Sequence, residues 1–248
     1  MLNLIELQND YKSRGFIILR EIFDKILMDK IYKEIIESKN SIKYFDRQNK
    51  LRRIEQLFDK GINLKKLNDQ ILLILKSIFK EEYTIFKDKY NAKPPGGEGF
   101  YPHYDGIFIW VDKDGNENKG WHKYANNFVN VLVAIDSMNL DNGPLEIANS
   151  HNEPFEVLLN RTKKNGTPDI NPEIEKKLNF EKILLSVGDI VIFSSKCPHR
   201  SSKNNSSIDR RTIYYTYNAL NEGNFYDQYF RDKNNSKNIQ SKSLSGEI

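Results

Sequence analysis

The segment Phe100-Tyr101-Pro102-His103-Tyr104-Asp105-Gly106 carries an imidazole and a carboxylate two positions apart. On an extended strand the side chains at positions i and i+2 point to the same face, so His103 and Asp105 are predicted to converge while Tyr104 turns away. Another imidazole, that of His199, follows much later in Lys196-Cys197-Pro198-His199. It can join the first two residues only in a fold that brings distant strands or loops side by side.

Two histidines and one carboxylate on the same side of an ion form a ligand set that leaves other coordination positions open. This arrangement is typical of non-heme Fe(II) oxygenases. The spacing alone is weak support, because H-x-D triplets are common by chance and one distant histidine adds little. The alternative interpretation is a surface histidine and an aspartate in a turn, so the surrounding sequence decides between them.

The chain on both sides of these residues has the alternation and the turn signals of a β-rich domain. Strands are predicted at residues 84–93, 128–136, 155–159, 183–187, 190–194 and 212–218. Turn signals between them include Pro94-Pro95-Gly96-Gly97, Asp141-Asn142-Gly143-Pro144 and Gly188-Asp189. Many short strands of this kind predict a β-sandwich or an open barrel.

Helical patterns precede this region. The short strand Gly15-Phe16-Ile17-Ile18-Leu19 is followed by Leu27, Ile31 and Ile35, which are spaced four apart as on one face of a helix. A second helix with the same spacing is predicted at residues 64–79. We expect both helices to pack as a buttress against the sheet, which makes the fold class mainly β with a helical backing layer.

Residues 106–127 form a polar stretch with Asp114-Gly115 as a hairpin turn and with Trp110 and Trp121 near its two ends. Long loops inside compact domains often close over a bound ligand. The stretch is therefore either a substrate lid or an ordinary surface hairpin.

Composition narrows the function classes. The 248 residues include 38 Lys and Arg against 34 Asp and Glu, and the net charge of +4 is spread without a long basic stretch, so no nucleic-acid partner is predicted. Apolar runs fall short of the ~20 residues that cross a bilayer, so no membrane partner is predicted. The single cysteine, Cys197, and a first segment without signal-peptide features predict a reducing cytoplasm. We predict one domain over residues 1–230 and a polar, disordered tail over residues 231–248.

Three segments, taken in order, resemble a known family. They are Lys93-Pro94-Pro95-Gly96-Gly97 leading to His103-Tyr104-Asp105, Asn142-Gly143-Pro144-Leu145-Glu146 leading to Ser150-His151, and Gly188-Asp189-Ile190-Val191-Ile192-Phe193 leading to His199 and Arg210. Together they resemble the phytanoyl-CoA dioxygenase family of Fe(II)- and 2-oxoglutarate-dependent oxygenases, which includes the ectoine hydroxylases. The resemblance covers about residues 15–218. It implies a double-stranded β-helix, a cupin-like jelly roll whose open mouth holds the metal.

The resemblance also implies the metal ligands and the overall reaction. His103, Asp105 and His199 correspond to the iron ligands of the family. The expected reaction uses Fe(II), 2-oxoglutarate and O2, hydroxylates a small-molecule substrate and releases succinate and CO2. Related halogenases replace the carboxylate ligand by a small residue, so the carboxylate of Asp105 favours hydroxylation.

Further positions match the part of the family site that binds 2-oxoglutarate. The family arginine that binds its distal carboxylate lies eleven residues after the second histidine, and this count falls on Arg210. Because neighbouring strand residues face opposite sides, only one of Arg210 and Arg211 can point into the barrel. Ser201 and Asn91 match other positions that contact 2-oxoglutarate, the latter in the ectoine hydroxylase branch.

The substrate side is less defined. Tyr104, Trp110, Trp121 and Tyr124 are candidates for the substrate pocket or lid, and each also fits an ordinary core. Two other interpretations stay open: a cupin-type metal-dependent isomerase or epimerase, which would not need Arg210, and a non-catalytic β-sandwich binding protein in which the triad is coincidental. Neither the identity of the substrate nor the oligomeric state is predicted.

Overall fold

A computed structural model describes residues 3–39, 41–46, 49–149, 152–163 and 167–235. The helices in these residues are α1 (Leu4–Arg14), α2 (Lys25–Glu37), α3 (Ile62–Phe79), α4 (Phe155–Asn160), α5 (Pro172–Glu175) and α6 (Tyr226–Asn235). The strands are β1 (Phe16–Leu19), β2 (Ile42–Phe45), β3 (Leu51–Glu55), β4 (Tyr83–Lys93), β5 (Phe100–His103), β6 (Ile109–Val111), β7 (Glu117–Lys119), β8 (Phe128–Ala134), β9 (Leu145–Ala148), β10 (Phe180–Ile183), β11 (Ile190–Ser194), β12 (His199–Ser201) and β13 (Arg210–Ala219).

Two antiparallel sheets form the body of the protein. The major sheet has the strand order β1-β11-β8-β13-β4-β3-β2, and the minor sheet has the order β10-β9-β12-β5. Apolar side chains of the two sheets meet between them, among them Leu132 and Phe193 from the major sheet and Leu145 and Ile147 from the minor sheet. The sheets therefore face each other, as the predicted jelly roll requires.

Helices cover the outer face of the major sheet. The side chain of Asp24 accepts a hydrogen bond from the backbone N–H of Leu27 at 2.7 Å and so begins α2. This helix buries Met28, Ile31 and Ile35, and α3 buries an apolar stripe of the same spacing. Both stripes join one core with the side chains that strands β4 and β13 direct outward. The helical buttress is thus confirmed.

Strand β4 has two chemically different faces. Phe86 and Tyr90 belong to the core under the helices. The alternating residues Lys87 and Lys89 line a cavity beside His103 and Asp105, so the polar face of the strand points into the barrel. Strand β13 pairs with β4 over ten positions and opposes Arg210 to Lys93, which continues this polar lining.

Two predicted strands are wrong or displaced. Residues 155–159 form helix α4, because Phe155 and Leu158 are three positions apart and both bury their side chains in one apolar cluster with Tyr104 and Ile170. The strand predicted at 183–187 lies earlier, as β10, which ends at Ile183. Within residues 184–187, the structure shows an isolated bridge from Leu185 to Met138 in place of a strand.

The predicted tail also needs correction at its start. Residues 231–235 complete helix α6, and Lys233 is buried against Glu55, so this segment belongs to the domain. Residues 236–248 lie outside the described residues, as do Ser150 and His151. Helix α1 and strands β2 and β3 had not been predicted; the hairpin turn at Asp114-Gly115 is confirmed by the pairing of β6 with β7.

None of the helices in the described part of the chain combines the length and the apolar character that crossing a bilayer requires.

The Gly188-Asp189 turn fastens the first strand to the barrel. Gly188 has φ +81°, and a Cβ atom there would lie 1.7 Å from the Phe23 carbonyl oxygen. The buried carboxylate of Asp189 accepts hydrogen bonds from the backbone N–H of Glu21 and of Ser186, each at 2.8 Å, and from Arg20 at 2.7 Å. Burial raises the pKa of Asp189, but these donors outweigh burial and hold the pKa below its ordinary value.

We expect Asp189→Asn to lower the free energy of unfolding by about 2 kcal/mol at neutral pH, because it removes charge-assisted bonds inside the fold. A carboxyl pKa that is lower in the folded state stabilises the protein above the ordinary carboxyl pKa and ceases to do so as the pH falls. The deficit should therefore shrink on acidification. Urea denaturation at neutral pH and near pH ~4 measures it. Asp29→Asn, at an exposed ion pair on α2, is the control, and an equal loss in both variants would contradict the assignment.

Candidate active site

The structure brings His103, Asp105 and His199 together. Strand β5 ends at His103, and Asp105 follows in a turn, so the prediction that both residues lie on one strand is wrong in this detail. The turn is held by a hydrogen bond from the Asp105 N–H to the Ser195 carbonyl oxygen at 3.0 Å. His199 begins β12 and pairs directly with His103. One ligand atom from each of the three side chains lies within 4.8 Å of the others.

The two imidazoles are oriented by the backbone. The Nδ1 atom of His103 bonds the Tyr101 carbonyl oxygen at 2.7 Å, and that of His199 bonds the Cys197 carbonyl oxygen at 3.0 Å. Since a carbonyl only accepts, Nδ1 is the protonated nitrogen of each neutral ring. The Nε2 lone pairs are then left for a metal ion, and Nε2 of His199 lies 3.7 Å from Oδ2 of Asp105.

The carboxylate of Asp105 is tied to the opposite sheet. It accepts a hydrogen bond from Nδ2 of Asn130 at 2.8 Å, and Oδ1 of Asn130 in turn accepts from the hydroxyl of Thr216 at 2.7 Å. Asn130 and Thr216 face each other on β8 and β13. Neither residue was predicted from the sequence. The available signal was a single amide within the otherwise apolar strand Phe128-Val129-Asn130-Val131.

The protonation states suit a divalent cation. Burial lowers the pKa of His103 to about 3 and also lowers the pKa of His199. Burial raises the pKa of Asp105, but the neighbouring His199, Lys87 and Lys89 outweigh it and hold that pKa below its ordinary value. Neutral imidazoles and an ionised carboxylate are the forms in which these groups bind metals. The donor set therefore fits the Fe(II) that the sequence resemblance implies.

A cavity, here called the main cavity, opens beside His103 and Asp105. Its wall carries the cationic side chains of Arg53, Lys87 and Lys89 together with the carboxylate of Glu55. Burial lowers the pKa of Lys87 to about 8 and that of Lys89 to about 7. None of these four residues was predicted from the sequence to belong to the site.

A second cavity, the side cavity, lies against both imidazoles. Asn91 and Ser201, both predicted to contact 2-oxoglutarate, line it together with Tyr214. Lys89 and His103 belong to the walls of both cavities, so the two spaces meet at the triad.

The two candidate arginines have different surroundings. Arg211 lies on the outer face, where Asp136 accepts two hydrogen bonds from its guanidinium at 2.6 Å each. Arg210 is 2% exposed and hydrogen-bonds Tyr214 on the wall of the side cavity. Among the described residues no carboxylate forms an ion pair with Arg210, and its Nε atom has no hydrogen-bond partner there. A buried cation of this kind fits an anionic ligand, which is the property that 2-oxoglutarate requires.

Ser201 is positioned by a buried lysine. Its hydroxyl oxygen accepts a hydrogen bond from Nζ of Lys93 at 2.9 Å, and Nζ also reaches the Gly143 carbonyl oxygen at 3.3 Å. The same carbonyl accepts from Arg210 at 3.2 Å. Because Ser201 accepts from Lys93, its own hydroxyl proton can still be donated to a ligand in the side cavity.

The four aromatic candidates separate into two pairs. Tyr104 and Trp121 border the main cavity. Trp110 and Tyr124 are buried in the core away from it, where Trp110 donates to the Gly120 carbonyl oxygen and Tyr124 donates to Asp232. The tip of the β6–β7 hairpin is exposed. The role of residues 106–127 as a substrate lid stays a prediction.

Comparisons with known proteins identify a family and related enzymes. The family model of phytanoyl-CoA dioxygenase (PhyH) matches residues 11–212. The 2-aminoethylphosphonate dioxygenase of the uncultured bacterium HF130_AEPn_1 is 28% identical over 255 positions, which cover 97% of this chain and 91% of that protein. The methylphosphonate hydroxylase of Gimesia maris is 31% identical over 160 positions, which cover 64% of this chain and 55% of that protein.

Solved structures show the same fold at low identity. EctD from S. alaskensis, determined with 2-oxoglutarate and 5-hydroxyectoine, has a TM-score of 0.69 at 16% identity and covers 88% of this chain and 76% of EctD. SnoN, a non-heme alpha ketoglutarate dependent epimerase from nogalamycin biosynthesis, has a TM-score of 0.64 at 12% identity and covers 87% of this chain and 82% of SnoN.

The fold and the family match together define an enzyme, a dioxygenase built on a jelly roll. The chain belongs to the phytanoyl-CoA dioxygenase family. The interpretation as a non-catalytic binding protein is therefore wrong.

We expect the metal-free protein to bind one equivalent of Mn(II), used as an air-stable substitute for Fe(II), and Asp105→Ala to abolish this binding. Asn130→Ala should weaken it by roughly tenfold, since groups that orient a ligand typically matter to that extent. Electron paramagnetic resonance of free Mn(II) measures both effects. Asp112→Ala, which removes an exposed carboxylate of the β6–β7 turn, is the matched control. Undiminished binding by Asp105→Ala would contradict the ligand assignment.

Proposed function

We propose that this dioxygenase uses His103, Asp105 and His199 to hold Fe(II) and hydroxylates a small molecule bound in the main cavity, with 2-oxoglutarate in the side cavity. The observation that carries the proposal is the convergence of the three donor atoms at the point where both cavities meet. Bound Fe(II) would supply the activation of O2, coupled to conversion of 2-oxoglutarate to succinate and CO2.

The chain contributes a fixed and correctly protonated donor set. The Tyr101 and Cys197 carbonyl oxygens keep each Nδ1 protonated, so Nε2 of each ring is presented to the metal. Asn130 donates to one oxygen of Asp105 and fixes the orientation of the carboxylate. Because Asp105 is a carboxylate and not a small residue, hydroxylation is favoured over halogenation.

The side cavity fits a dicarboxylic acid by its donors. Arg210 lies behind the wall of this cavity, hydrogen-bonded to Tyr214, and provides a buried guanidinium without a carboxylate partner among the described residues. A guanidinium can bond a carboxylate through two parallel N–H groups. Ser201 and Asn91 line the side cavity and add a hydroxyl and an amide. We assign these three residues to 2-oxoglutarate.

The substrate is proposed to be small and polar. The main cavity has three basic side chains on its wall, which suits a charged molecule better than an apolar acyl chain. Two relatives are named for small phosphonates, 2-aminoethylphosphonate and methylphosphonate. A cytoplasmic location and the absence of nucleic-acid and membrane partners stay predictions from the sequence.

A cupin-type isomerase or epimerase would leave the oxygen content of its substrate unchanged and, without a cosubstrate, would not need Arg210. Stoichiometric formation of succinate with incorporation of labelled oxygen from ¹⁸O2 into the product separates hydroxylation from that alternative.

We expect Arg210→Ala to raise the KM for 2-oxoglutarate by roughly tenfold to a hundredfold, because it removes a charge-assisted bond to the distal carboxylate. Arg211→Ala is the matched control: it breaks the surface pair with Asp136 and should change that KM by less than about twofold. Initial rates of succinate formation at varied 2-oxoglutarate measure both variants. An effect confined to Arg211→Ala would show that the wrong neighbour was chosen.

A further inference from the structure

Two lysines of β4 are held in the main cavity without an anionic partner. Nζ of Lys87 lies 4.2 Å from the centroid of the Trp121 ring, and Nζ of Lys89 lies 4.8 Å from that of Tyr214. Neither lysine forms an ion pair within 4.0 Å with any acidic residue of the described chain. Aromatic faces orient an ammonium group but do not neutralise it. Both side chains are thus positioned and uncompensated.

The carboxylates of the cavity wall are already engaged. Glu55 is bound by Lys233 of α6 and accepts a hydrogen bond from the hydroxyl of Tyr44 at 3.1 Å. Asp105 accepts from Asn130 and belongs to the metal triad. Arg53 on the adjacent strand β3 is itself paired with Glu55, its Nη1 atom lying 3.9 Å from Oε1. Lys87 and Lys89 are therefore the cations of the cavity wall that form no ion pair within 4.0 Å among the described residues.

We propose that Lys87 and Lys89, with Arg53 beside them, bind the phosphonate group of a small alkylphosphonate or aminoalkylphosphonate substrate. This inference rests on the proposed function, since it names the substrate class of the same site. Several cationic donors from two neighbouring strands suit a tetrahedral dianion with three acceptor oxygens. A single carboxylate carries one negative charge and would neutralise one of these donors. We call these three residues the phosphonate subsite.

The position of the phosphonate subsite predicts which carbon reacts. His103 and Asp105 share the wall of the main cavity with Lys87 and Lys89, so a carbon bonded to phosphorus lies beside the metal ligands. One oxygen atom of O2 is inserted into a C–H bond of that carbon and gives the 1-hydroxyalkylphosphonate. The other oxygen atom enters succinate, 2-oxoglutarate supplies two electrons and loses CO2, and the C–P bond stays intact.

The first experiment measures binding without turnover. Calorimetric titration of methylphosphonate and of 2-aminoethylphosphonate into the full chain, both metal-free and Mn(II)-loaded, should show binding that weakens at least roughly tenfold in Lys87→Gln. Lys87→Arg should restore most of the affinity, because it restores the charge. Lys123→Gln is the matched control, since Lys123 also lies over an aromatic ring, that of Trp110 at 4.5 Å, but outside the main cavity.

The second experiment measures turnover. In Lys87→Gln the KM for the phosphonate should rise roughly tenfold or more while the KM for 2-oxoglutarate changes by less than about twofold. Lys89→Gln should raise the KM for the phosphonate and the KM for 2-oxoglutarate, because Lys89 borders both cavities. Methyl phosphate, which carries a similar dianion without a carbon on phosphorus, should inhibit without forming a 1-hydroxyalkylphosphonate. The carboxylate analogue 3-aminopropanoate should be a poor substrate.

The outcomes separate the two proposals. Absence of succinate formation with every substrate would overturn the proposed function. Succinate formation with a carboxylate or an acyl thioester but not with phosphonates would overturn the phosphonate subsite alone. Phosphonate binding that is the same in the wild type, Lys87→Gln and Lys89→Gln would overturn it as well. If Lys87→Gln fails to fold, two other measurements test the phosphonate subsite. They are phosphonate binding to Lys89→Gln and inhibition of the wild type by methyl phosphate.

Discussion

The hydrogen bond from Asn130 to Asp105 connects the two sheets at the metal triad. The histidines come from neighbouring strands of the minor sheet, whereas Asn130 and Thr216 belong to the major sheet. The orientation of the carboxylate therefore depends on how the two sheets face each other. Both cavities meet at this triad.

The outer and inner faces of the major sheet differ in how their cationic side chains are paired. On the outer face of the major sheet, Arg211 is fully engaged by Asp136. On the inner face, Arg210 has no carboxylate among the described residues, and the same holds for Lys87 and Lys89. Unpaired cations inside a fold are costly unless a ligand supplies the opposite charge. The two anion sites proposed above, one for a cosubstrate and one for a substrate, would account for this pattern.

Sequence patterns predicted most of the sheet, the two helices behind it and all three candidate ligands. They failed where periodicity was ambiguous: residues 155–159 alternate too poorly to separate strand from helix, and only the packing of Phe155 and Leu158 decides for α4. They also missed Lys87 and Lys89. Alternation of lysines with Phe86 and Tyr90 usually indicates a solvent-facing side, but here the apolar face lies under the helices and the lysines face inward.

The order of the motifs determined the family and predicted the candidate ligands, because residue type and spacing along a strand are local properties that the chain carries unfolded. The choice between Arg210 and Arg211 followed a count in the sequence, but their different environments exist only after β13 pairs with β4 and β8. The charge balance of the main cavity is likewise a tertiary property. It depends on Lys233 reaching Glu55 across 178 positions of the chain, which leaves the two lysines of β4 as the uncompensated charges.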